Sequence, residues 1–218
     1  MVRQDLEEYA YRKIIQMILD NRFNPGDFLL ETELSKELGY SRTPVRQALS
    51  RLLTEGFLEK KKKRGYLIPV PTPEDSRQVF YTREIIEGKA AAEAALNANE
   101  TGISELYEIV SEQEKAFKEK DKEVYSLANE KFHMRIARMS KNLYLERYCR
   151  HIFWRSNVYI FYFDKYYSNK LFKSEEHATP EQHMNIIRAI EFQDAESAEY
   201  FMKQHISHTF NMLFGLPE

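Results

Sequence analysis

"GYSRTPVRQALSRLL", residues 39–53, decides how this chain is read. Val45, Ala48, Leu49, Leu52 and Leu53 recur at helical spacing and form one apolar face. Thr43 is placed to cap the helix, and Pro44 suits its first position, where no N–H is needed. Yet Arg42 and Arg46 stand at this N-terminus, where the helix dipole favours acidic side chains. Each misplaced cation costs roughly a few tenths of a kcal/mol. The Ser41 and Thr43 hydroxyls and the free N–H groups of the same turn are anion-binding groups. The cost makes sense if this end of the helix faces a polyanion.

The flanking segments give that helix a setting. "NPGD" (24–27) ends a first helix whose apolar positions are Leu6, Tyr9, Ile14, Met17 and Ile18. A second helix over about 31–38 stops at Gly39, a natural left-handed terminus. After Gly56, "FLEKKKKRGYLIPV" (57–70) reads as a β-hairpin with a basic tip, Gly65 being free to take positive φ. Three helices and a hairpin are the layout of a winged helix-turn-helix. Arg42 and Arg46 would enter the major groove, and Lys60, Lys61, Lys62, Lys63 and Arg64 would meet phosphates. The plainer alternative pairs the arginines with Glu31 or Glu37 and leaves the lysines as a solvated loop.

Charge is consistent with a nucleic-acid-facing front. The net charge of −2 divides into 13 basic and 10 acidic residues over 1–71, or +3, and −5 for the remainder. A single cysteine, Cys149, excludes an internal disulfide framework. The N-terminus lacks an apolar leader, and no run approaches bilayer length. The expectation is a cytoplasmic protein with no membrane association.

"PVPTPED" (69–75) separates a front domain, 1–71, from a rear domain, 72–218. The rear domain reads as an all-α bundle of six helices at about 73–98, 102–119, 121–139, 142–168, 180–192 and 194–214. "GKAAAEAALNA" permits close helix approach. Asn129 and His133 share a helix face at i,i+4, and His183 and His205 lie at similar heights on either side of the Gln193-Asp194 turn. Three converging imidazoles suit a divalent metal: zinc, nickel, iron or manganese. The bland reading is hydrogen-bonded core histidines, with His151, His177 and His208 as competing ligands. The aromatic run Phe153, Trp154, Tyr159, Phe161, Tyr162, Phe163, Tyr166, Tyr167 reads as core or dimer surface.

"GDFLLETELSKELGYSRTPVRQALSRLLTEGFL" resembles the winged helix-turn-helix of the GntR family of bacterial transcription regulators. The rear domain is similar to the FadR C-terminal (FCD) effector domain through "YTREIIEGKAAAEAA", "NEKFHMRIARMSKN" and "EQHMNIIRAIEFQDAESAEYFMKQHI". The resemblance implies that Arg42 and Arg46 read bases, Ser41 and Thr43 hold phosphate, and Gly65 approaches the minor groove. Thr32 stands where some members carry a backbone-gripping arginine. It further implies a divalent metal on Asn129, His133, His183 and His205, and a cavity in which Arg83 receives a small organic or sugar acid. A homodimer on a near-palindromic operator, released by ligand, would be a repressor. Arg83 has an alternative partner in Glu87, one helical turn away. Two rivals remain: a sensor whose effector is the ion itself, and a metal-dependent hydrolase. The second lacks an obvious general base or a HExxH arrangement, so no enzyme is expected.

Overall fold

The computed structural model describes residues 3–20, 22–62, 64–162 and 178–214. The front half contains α1 (Arg3–Leu19), β1 (Phe28–Leu29), α2 (Glu31–Leu38), α3 (Arg42–Thr54), β2 (Glu59–Lys61) and β3 (Gly65–Leu67). The expected hairpin is present, β2 pairing antiparallel with β3. The sequence reading missed β1, which adds to the other edge of β3 with Leu29 opposite Tyr66. Two residues carry no readable strand period. α2 ends at Gly39 in the left-handed region, φ +71°.

α3 buries Val45, Ala48, Leu49 and Leu52 against Ile14, Ile18 and Phe57. Its start differs from expectation. Ser41 is the N-cap residue, with no side-chain cap bond, and Thr43 and Pro44 lie inside the first turn. Proline is tolerated there because the N–H groups of that turn have no intrahelical acceptor. In α1, Tyr9 leaves the expected apolar face. It is exposed, packing edge-on against Tyr40 with ring centres 5.7 Å apart.

The rear half is a helical bundle of α4 (Pro73–Leu96), α5 (Glu100–Glu119), α6 (Lys122–Met139), α7 (Leu143–Tyr162), α8 (Ala178–Glu191) and α9 (Ala195–Phe214). Thr72 caps α4 by accepting from the Asp75 N–H at 3.1 Å, with Pro73 in the first turn. Buried Ala90, Ala91, Ala94 and Ala95 let α4 sit among α6, α7, α8 and α9. Phe153, Trp154 and Tyr159 are core residues as expected. Phe163, Tyr166 and Tyr167, with the expected end of α7 at 168, lie outside the described residues.

α7 also meets the front half. The Trp154 ring stands edge-on to Tyr11 and Phe57, at 6.3 and 5.8 Å between centres. Its indole N–H donates to Glu130 at 3.2 Å. Gly56, φ +82°, lies under the His151 ring, and a Cβ there would come within 2.9 Å of that ring. Gly56→Ala therefore combines left-handed strain with overpacking. It is expected to cost about 1–3 kcal/mol in stability, read from the urea midpoint.

Candidate DNA interface and metal centre

Arg42 and Arg46 are exposed, and neither makes an ion pair among the described residues. Glu37, one of their alternative partners, pairs instead with Arg22. The Ser41 hydroxyl is exposed, and that of Thr43 half-buried. Arg51 shows the contrast within the same helix. It pairs with Glu8 at 2.7 Å and Glu55 at 3.1 Å, and covers the Tyr11 ring at 3.8 Å. On the hairpin, Lys61 pairs with Glu59 at 3.1 Å and Lys60 lies over Tyr66 at 5.3 Å. Lys62 and Arg64 are exposed, and Lys63 lies outside the described residues. Gly65 begins β3 at φ +104°, and a Cβ there would stand 3.3 Å from the Leu30 side chain. Packing against the β1 end thus gives this glycine a structural reason of its own.

In the rear half, α6 supplies Asn129 and His133, α8 supplies His183 and α9 supplies His205. The three imidazoles are buried, and one nitrogen from each lies within 4.8 Å of the others. His183 Nε2 and His205 Nε2 are 3.3 Å apart. Donors each about 2.0–2.1 Å from a tetrahedral zinc would be spaced about this far. Each outward-facing nitrogen has a polar neighbour. His183 Nδ1 lies 2.9 Å from Gln113 Oε1, and His205 Nδ1 lies 2.9 Å from Gln182 Oε1. An amide oxygen only accepts, so both Nδ1 atoms carry the proton and both Nε2 atoms turn lone pairs toward each other. A cation between them could take both nitrogens as ligands.

His133 extends the pattern. Glu87 Oε2 is 2.6 Å from its Nδ1, an ion-pair distance without hydrogen-bond alignment. The other ring nitrogen, Nε2, has no hydrogen-bond partner, although the ring is buried. Buried polar atoms left in this way call for an explanation, and a metal supplies one. Burial pushes the His133 pKa down against the opposing pull of Glu87. Burial, with His133 and Arg83 nearby, pushes His205 further down. Both shifts favour the neutral imidazole, the state that binds a metal. Asn129 lies at the rim, its Oδ1 accepting from Gln113 Nε2 at 3.3 Å.

Arg83 makes the alternative pairing, with Glu87. It is buried and pairs with Glu87 through Nε at 2.5 Å and Nη2 at 3.2 Å. Its Nη1 donates to Ser156 Oγ at 3.0 Å. Burial alone would raise the Glu87 carboxyl, but Arg83 and then His133 hold it at about 2. Arg83, Asn129, His133 and His205 line a common cavity of about 20 Å³, closed by Tyr125, Ile160, Thr179 and Thr209. His151 is elsewhere, with Nδ1 3.1 Å from the Thr54 carbonyl, and His208 lies outside the three-histidine cluster. His177 falls outside the described residues.

Sequence reasoning missed Gln113, Gln182 and Ser156. Gln113 had a signal: it interrupts the buried stripe Leu106, Val110, Gln113, Ala116 of α5. A polar residue on a core stripe needs a partner.

Residues 6–68 match the family described as bacterial regulatory proteins, gntR family, and residues 78–208 match the FCD domain. The uncharacterized HTH-type transcriptional regulator YdhC of Bacillus subtilis is 31% identical over 144 residues, 65% of this chain and 64% of that protein. The Nta operon transcriptional regulator of Aminobacter aminovorans is 28% identical over 92% of this chain and 90% of its own. The solved structure of McbR/YncC from E. coli has a TM-score of 0.80 at 21% identity, covering 99% of both chains. That last likeness shows the fold. Among the described residues no helix is long and apolar enough to cross a membrane. With a winged front half and a helical effector half both matched, the chain belongs to the gntR family of bacterial regulatory proteins and carries an FCD domain: it is a DNA-binding transcription regulator, not an enzyme.

Proposed function

We propose that residues 1–71 bind a near-palindromic operator as one half of a homodimer, and that residues 72–218 sense a small carboxylate at a divalent metal, releasing DNA when it binds. One observation carries this reading. Three buried imidazoles and the buried Arg83 guanidinium are gathered at one site, with Arg83, His133 and His205 on a common cavity wall. His133, His183 and His205 would hold the metal, with Asn129 as a fourth, neutral oxygen ligand. The bound ion would supply a Lewis-acidic position for one carboxylate oxygen. Arg83 offers a planar fork for the other, in competition with Glu87. Repression follows if the ligand prefers the arrangement with lower operator affinity.

A second reading is favoured by the size of the cavity. At about 20 Å³ it holds an ion or a water but no organic acid without expansion, as expected of a site whose effector is the metal. Titrating zinc, nickel or manganese against operator binding, with and without small acids, separates the two. Under the first reading operator affinity responds to the acid only when metal is bound. Under the second, metal alone gives the full response.

The hairpin has its own test. Replacing Lys61 and Lys62 with alanine is expected to weaken binding to all sequences alike. The slope of log K against log salt should become shallower by roughly 1 for each phosphate that a lysine no longer neutralises. Filter binding across a salt series measures both.

A further inference from the structure

α7 carries contacts to both halves of the protein on adjacent residues. On one face Ser156 accepts from the cavity arginine, Arg83 Nη1, at 3.0 Å. Phe153 packs beside His133 with ring centres 5.1 Å apart. On the other face Arg155 Nη2 donates to Asp75 at 2.6 Å and Nη1 reaches Glu59 at 3.5 Å. Tyr159 donates its hydroxyl to the same Asp75 carboxylate. Asp75 lies in the first turn of α4, directly after the proline-rich connection, while Glu59 lies on β2 of the wing and pairs there with Lys61. Between these polar contacts Trp154 fills the gap against Tyr11 and Phe57.

We infer that α7 is the rigid element through which the cavity sets the position of the winged domain, with the Arg155–Asp75–Tyr159 cluster as its joint. The physical reason is adjacency on a helix. Ser156 and Arg155 are neighbours on one rigid backbone, so a ligand that draws Arg83 away from Ser156 changes what holds α7. A small rotation of α7 then strains Arg155, which grips both the connection and the wing. Packed interfaces answer such shifts by changing arrangement, not by deforming smoothly. Variants that break the joint while leaving the metal site intact separate coupling from adjacency.

The inference rests on the metal reading above, and its test separates the two. Trp154 is the only tryptophan of the chain and is buried at the contact between the halves, so its emission reports their separation. Zinc, then zinc with citrate, is added to the full-length metal-free protein while emission and bound zinc are both measured. Binding to a duplex that the wild-type protein selects from a random pool is followed in parallel. In the wild type one of these additions should shift the emission maximum and change duplex affinity by at least about fivefold. Ser156→Ala and Arg155→Gln should bind zinc with unchanged stoichiometry, which also shows that they fold. Their emission and duplex affinity should respond less than about twofold. If zinc binds but wild-type emission stays fixed, or both variants respond like the wild type, the coupling role is overturned and the metal reading stands. If zinc does not bind the wild-type protein, both fall.

Discussion

Arg46→Ala is expected to keep non-specific affinity for DNA at low salt and to lose sequence preference. Arg46 is exposed in the opening turn of α3, and among the described residues it makes no ion pair, so its removal disturbs nothing that holds the front half together. A bidentate arginine–base contact is worth about 1–3 kcal/mol of discrimination, roughly 5- to 150-fold between cognate and altered sites. The hairpin cations remain available to meet phosphates. Taking a cation from a helix N-terminus should, if anything, raise stability by roughly a few tenths of a kcal/mol. Loss of selectivity with unchanged or slightly increased thermal stability is thus the signature of a base-reading residue. Arg51→Ala, on the same helix, should do the reverse: it breaks the pairing with Glu8 and Glu55 and uncovers Tyr11, lowering stability first. Selection from a random duplex pool, paired with thermal melts, reads both effects. An Arg46→Ala protein that still recovers the wild-type consensus would remove α3 from the major groove.

The contrast between these arginines shows which parts of the molecule are legible from sequence. Local signals worked where one residue acts alone. Gly39 stops α2, Thr72 and Pro73 start α4, and the i,i+4 spacing of Asn129 and His133 holds in α6. They failed where the structure needs a second segment. β1 exists because β3 has a free edge to pair with, and nothing in two residues announces that. Glu87 could be read as an ion-pair partner of Arg83. That the same carboxylate reaches His133 depends on how α4 and α6 pack. The start of α3 was misjudged for a different reason. Ser41, Thr43 and Pro44 each suit the first positions of a helix, and propensity alone does not choose among them.

Zinc is expected to stabilise the wild-type protein strongly and to leave His133→Ala almost unmoved. A ligand that binds only the folded chain adds about 4 kcal/mol at a thousandfold excess over its dissociation constant. For a protein of this size that is a rise of roughly 8–16 °C in melting temperature. The geometry of the site gives the physical reason for so large an effect. His183 and His205 bring their Nε2 atoms within 3.3 Å of each other, and Nε2 of buried His133 has no hydrogen-bond partner. The metal would take these converging nitrogens as ligands. The substitution removes one of three imidazole ligands, so stoichiometric binding should be lost together with the melting shift. His208→Ala is the control: His208 lies outside the three-histidine cluster, so its zinc response should match the wild type. Differential scanning calorimetry after dialysis against chelator and then zinc gives the shift directly. A wild-type melting temperature indifferent to zinc, nickel and manganese alike would mean that the three histidines converge for packing alone.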